Sequence, residues 1–120
     1  MRRPKHILLI DPRNPVVSDV LAYAVRHWGF RLTRSRQIKG FRIARLEAPL
    51  DGIFVVTCGP MTAKETGKTA RLARRCGGVP WMAWNCLDPS SPAEIHEDLR
   101  NLTMRKRGPK PYAALKEATR

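Results

Sequence analysis

The sequence predicts an α/β protein: a small parallel sheet of about four strands with helices on both faces, followed by a basic C-terminal tail. Three observations carry this reading. Short apolar runs, HILLI at 6–10, GIFVV at 52–56 and WMAW at 81–84, alternate with longer segments of helical period. The middle run is apolar at successive positions, as in a strand covered on both faces. Each helical segment carries its own start and stop residues. Strands that alternate with helices pair in parallel through right-handed crossovers.

In chain order, HILLID at 6–11 is a buried strand ending in an acid. NPVVSDVLAYAVRHWG at 14–29 is a helix, with Asn14 as N-cap, Pro15 at the first helical position and Gly29 as the stop. Helical spacing puts Val17, Val20, Leu21, Ala24 and Trp28 on its inner face. FRLTRS at 30–35 reads as the second strand. Residues 37–47, QIKGFRIARLE, have no single clear period; a short helix with Ile38, Phe41 and Ala44 inward is the reading adopted. DGIFVVTC at 51–58 is the third strand and VPWMAWNC at 79–86 the fourth, with a basic helix between them that Gly77 and Gly78 end. SSPAEIHEDLRNLTMRKR at 90–107 is the last long helix. Ser91 and Glu94 form a capping box, Pro92 takes the first turn, and Ile95, Leu99 and Leu102 face inward. These elements divide the chain into an α/β domain at 1–106 and a basic tail at 107–120.

A chain of 120 residues makes one domain, and 42% hydrophobic residues suffice for a real core. The charge is extreme: 23 Lys and Arg against 10 Asp and Glu, a net +13. That balance bears on partners, and nucleic acid leads, ahead of an acidic protein or an anionic membrane surface. No segment approaches the ~18 apolar residues of a membrane span and no signal peptide is visible. Cys58, Cys76 and Cys86 are few and odd in number, which suits a reducing compartment. The expectation is a soluble, cytoplasmic protein without membrane contact.

Gly67-Lys68-Thr69 looks like the end of a phosphate-binding loop. The G-x-x-x-x-G-K-[ST] pattern needs a glycine at position 62, which is Thr62. Thr62 and Glu65 instead make a T-x-x-E capping box, so the helix starts there and Gly67 and Lys68 lie inside it. Amides inside a helix bond to carbonyls and cannot cradle phosphate.

On that helix Lys64, Lys68, Arg71 and Arg75 form one stripe, opposite Thr66, Thr69, Ala70, Ala73 and Cys76. A basic cluster comprises Arg26, Arg31, Arg34, Arg36, Lys39, Arg42 and Arg45, with no acid between Arg26 and Arg45. The tail adds Arg105, Lys106, Arg107 and Lys110. RKRGPKP there resembles the core of an AT-hook, with the order after glycine inverted. The nucleic-acid contacts expected are Lys64, Lys68, Arg71, Arg75, Arg31, Arg34, Arg36, Lys39, Arg42 and the four tail bases. They would grip the phosphate backbone, DNA or RNA, without reading sequence.

The order of elements resembles the response-regulator receiver domain, a flavodoxin-like fold. HILLIDPRNPVVSDVLAYAVRHWGF matches its acid-ended strand, amphipathic helix and GF turn, and LDGIFVVT and CGGVPWMAWN look like its third and fourth strands. The resemblance covers residues 5 to about 105. It implies a metal-binding acidic pair, of which Asp11 is present and Pro12 takes the other place. It implies a phosphoacceptor Asp ending the third strand, where Val56, Thr57 and Cys58 stand, and a switch hydroxyl near Asn85. No fifth strand with its lysine can be placed. The implied protein is a degenerate receiver that serves as an interaction or dimerisation module.

Ligands of parallel sheets bind beyond the strands' carboxyl ends. Asp11, Cys58, Asn85 and Cys86 are therefore expected at one crevice, as a redox pair or a ligand site. Their spacing with Cys76 and His96 matches no zinc motif, and His6, His27 and His96 have no triad partners in sequence. The sequence thus predicts a non-catalytic accessory or regulatory protein without cofactor or metal that binds nucleic acid, for example as a subunit of a nucleoprotein complex. The alternative is a receiver-like protein-interaction or dimerisation module in signalling, and a small ligand-binder at the crevice is third.

Overall fold

The computed structural model describes residues 3–11, 15–36, 46, 48–88 and 90–104. The four strands are β1 (His6–Ile10), β2 (Arg31–Ser35), β3 (Gly52–Thr57) and β4 (Trp81–Asn85). The three helices are α1 (Pro15–His27), α2 (Ala63–Arg75) and α3 (Pro92–Thr103). All strand pairings are parallel, in the order β2-β1-β3-β4. The sheet and its two helical layers are those expected from the sequence. Of residues 37–47, for which a short helix was expected, all but Leu46 lie outside the described residues, as do the Asn14 cap and the tail.

Side chains alternate across the sheet, so each central strand serves two cores. Ile7, Leu9, Phe54, Val56 and Met82 face α1 and α3, meeting Leu21, Ala22, Val25, Ile95, Leu99 and Leu102. Leu8, Ile10, Ile53, Val55 and Trp81 face α2, meeting Leu72 and Ala73. This explains why the β1 and β3 runs are apolar without alternation. Beyond β4 the chain enters α3 on the α1 side, so β4 is a sheet edge among the described residues.

The inner face of α1 differs from the one expected. Ser18, Leu21, Ala22 and Val25 are buried, whereas Val20 is 66% exposed. The helix is apolar around most of its circumference, so period alone could not choose the face. The Ser18 hydroxyl chooses it, accepting from Arg34 Nη2 at 2.8 Å.

Helix starts follow the sequence closely. In α2 Thr62 Oγ1 accepts from Glu65 N, and Glu65 Oε1 accepts from Thr62 N, both at 3.1 Å. In α3 Ser91 Oγ accepts from Glu94 N at 3.2 Å. Gly67 and Lys68 lie within α2, as the capping box requires.

His6 pins the lower end of the sheet, fully buried. Its Nδ1 lies 3.1 Å from Ala48 O and 3.2 Å from Pro49 O, which accept only, so this nitrogen carries the proton. In the neutral ring Nε2 then accepts from the Thr33 hydroxyl at 2.6 Å. Gly52 is a close-approach point: a Cβ there would stand 3.0 Å from Leu102 Cδ2. Its missing side chain lets the end of α3 lie on β3.

Candidate interaction site

Three surfaces could carry function: the stripe on α2, the carboxyl edge of the sheet, and the α1/α3 face. On α2, Lys64, Arg71 and Arg75 are exposed and Lys68 half-buried. Arg74, absent from the sequence reading, is exposed beside them. The acid of this helix, Glu65, is engaged in the cap. Ion pairs among the described residues join Arg3 to Asp51, Arg34 to Asp19 and Arg100 to Glu97, and none of these reaches α2. The stripe is thus uncompensated within its own helix.

The second basic cluster is less uniform. Arg34 donates to Asp19 Oδ1 at 2.7 Å as well as to Ser18, tying β2 to α1. Arg36 is exposed near a cleft that Asp11, Asp19 and Ser35 also line. Arg31 lies on β2, at the other edge of the sheet from β4. Lys39, Arg42, Arg105, Lys106, Arg107 and Lys110 lie outside the described residues.

At the carboxyl edge the strand order reverses between β1 and β3, where crevices form in such sheets. Asp11, directly after β1, is buried. Cys58 follows β3 and is exposed; Cys86 follows β4 and is half-buried. Asn85 Oδ1 accepts from Gly59 N at 2.9 Å and Leu87 N at 3.0 Å, making this residue a clamp between two turns. Partial burial first, then the neighbouring Cys58 side chain, pushes the Cys86 thiol above its ordinary 9.0, and the Asp11 charge adds to this. One carboxylate beside soft thiols does not suit magnesium, which wants near-octahedral oxygen ligands. Among the described residues no three or more His, Cys, Asp or Glu converge on a metal position.

The α1/α3 face was not foreseen as a site. Val16, Val20 and Tyr23 on α1 are 72%, 66% and 74% exposed, and Leu87 before α3 is 69% exposed. Between the helices runs a groove of about 300 Å³, walled by Val17, Val20, Leu21, Trp28, Trp84, Pro92 and Ile95, with Ser90 at its rim. Trp28 forms its floor by stacking on His96 of α3. The acids of α1 and α3 are Asp19, Glu94, Glu97 and Asp98, against Arg26 and Arg100 as bases. The residues that line the groove include no charged side chain. The available signal was the apolar excess in PVVSDVLAYAV, too much for one buried stripe. No helix among the described residues is long and apolar enough to cross a membrane.

No family model and no curated protein matches this sequence. Among solved structures the chain is similar to the receiver domain of a sensor histidine kinase from Pseudomonas aeruginosa PAO1, whose crystal structure has a magnesium ion coordinated in the active-site cleft. The match has a TM-score of 0.64 at 21% identity and covers 86% of this chain and 100% of that one. The fold is therefore receiver-like.

Proposed function

We propose that this chain is a non-catalytic, receiver-like interaction module of signalling that self-associates through its α1/α3 face. The observation that carries the proposal is the adjoining set of exposed Val16, Val20 and Tyr23 beside an apolar groove. Contiguous apolar surface of this kind marks interaction sites. A second copy suits it electrostatically. An isologous contact through this face joins grooves lined by uncharged residues and keeps the two α2 helices on outer sides, so a net charge of +13 does not oppose it strongly. The residues at the sheet edge support the non-catalytic part. Val56, Thr57 and Cys58 stand where receivers carry their phosphoacceptor Asp, and Pro12 stands beside Asp11. The receiver domain of a sensor kinase as structural neighbour favours this reading.

The test is size-exclusion chromatography with light scattering on the wild type and Val20→Glu. A dimer that becomes monomeric in the variant, with unchanged circular dichroism, supports the proposal. A wild type that is monomeric throughout overturns it.

A second reading rests on a separate observation, the uncompensated bases of α2. Lys64, Lys68, Arg71 and Arg75 offer a row to a phosphate backbone, with Arg74 flanking it. Such binding would be salt-dependent and indifferent to sequence. Its site lies on the opposite sheet face from the groove, so either activity can exist without the other.

A further inference from the structure

Cys58 and Cys86 each follow the last residue of neighbouring strands, one step beyond the paired Thr57 and Asn85. The ladder extends past that pair, since Cys86 N donates to Thr57 O at 2.9 Å. The Asn85 clamp then fastens the turn after β3 to the turn after β4. Side chains alternate along a strand, so Cys58 shares a face with Val56, and Cys86 with Trp84. Val56 belongs to the α1/α3 core, and Trp84 and Cys86 pack against it. The register thus places the two thiols side by side on one face. Neighbouring strands run about 4.8 Å apart, within the roughly 4.4–6.8 Å between Cα atoms that a disulfide spans. Cys76 caps α2 and packs in the opposite core.

We propose that Cys58 and Cys86 are a dithiol site that undergoes exchange with small soluble disulfides, to the exclusion of Cys76. This goes beyond the self-association reading and does not depend on it. Exposed Cys58 reacts first. Its thiolate attacks one sulfur of the small disulfide, that S–S bond breaks, and one thiolate leaves and takes up the proton Cys58 gave to water. Cys86 then loses its proton to water and attacks the Cys58 sulfur, expelling the second thiolate, which is protonated in turn. The protein pair supplies two electrons, and the small disulfide becomes two thiols.

The full-length reduced protein is equilibrated with oxidised glutathione, quenched in acid, alkylated with iodoacetamide and mapped by mass spectrometry. The expected wild-type product is a monomer lighter by two hydrogens, with Cys58 and Cys86 peptides joined and Cys76 alkylated. Cys86→Ser should accumulate a mixed disulfide on Cys58, whereas Cys58→Ser should carry little glutathione at Cys86. A wild type alkylated at all three positions under conditions that load the Cys86→Ser variant overturns the proposal. A disulfide that involves Cys76, or preferential loading of Cys86 in the Cys58→Ser variant, also overturns it.

Discussion

The imidazole of His96 lies parallel to the indole of Trp28, with ring centroids 4.6 Å apart and planes within 4°. Phe30 meets the same imidazole edge-on at 6.3 Å. The stack joins the end of α1 to the middle of α3 and so fixes the width of the groove above it. Trp28→Ala should cost roughly 2 kcal/mol, less than the about 3–5 kcal/mol of a fully buried Trp, because its ring is half-exposed. His96→Ala should cost about 1 kcal/mol. A double-mutant cycle in urea should return a coupling of about 0.5–1.5 kcal/mol; additive losses would mean that the rings merely touch.

Gly52 stands where the end of α3 presses on β3. Gly52→Ala places a methyl group 3.0 Å from Leu102 Cδ2 and 3.4 Å from Thr103 Cγ2. Overpacking of this size costs about 1–3 kcal/mol. Thermal unfolding should show the loss, and Leu102→Val in the same chain should recover part of it. An alanine variant as stable as the wild type would show that α3 shifts freely on the sheet.

Buried His6 and half-buried Thr33 form a hydrogen-bonded pair that the sequence does not announce. Thr33→Val keeps the shape but leaves Nε2 without its donor, at a cost of about 1–3 kcal/mol. Chemical denaturation measures it. Thr33→Ser, which keeps the hydroxyl, should lose clearly less.

Cys86 gives the stability a pH dependence of definite sign. Its folded pKa lies above the ordinary 9.0. Below that value the thiol is protonated in both states, and its contribution is fully present. As pH rises above 9.0 the unfolded chain loses the proton first, so stability falls through the window up to the folded pKa. The wild type should therefore lose more stability between neutral pH and alkaline pH than Cys86→Ser does. Parallel profiles would mean that the thiol's surroundings do not disfavour its charged form.

What was legible in the sequence was whatever rests on local rules. The capping box of α2, the Ser91 cap of α3, the position of Gly67 inside a helix, and the four strands depend on spacing and residue type alone. The orientation of α1 was not legible, because PVVSDVLAYAV offers apolar residues to nearly every direction. Arg34 choosing Ser18 and Asp19 decided it, and those residues meet across 15 and 16 positions of chain. The same long-range choice hid the candidate site. Val20 reads as core until α1 turns and leaves it exposed. That Cys58, Asn85 and Cys86 share one sheet edge was legible from strand ends, whereas the clamp role of Asn85 appears only once the two turns are side by side.

The central claim is that the α1/α3 face is a contact between copies. The most direct measurement is sedimentation velocity of the full chain over a wide concentration range in ~0.5 M salt, where the Debye length is under about 5 Å and charge-driven association is screened. A salt-resistant dimer is expected for the wild type and for a variant with Lys64, Lys68, Arg71 and Arg75 changed to Glu, and a monomer for Val20→Glu. A wild type that sediments as a monomer at every concentration, or a dimer untouched by Val20→Glu, would contradict it.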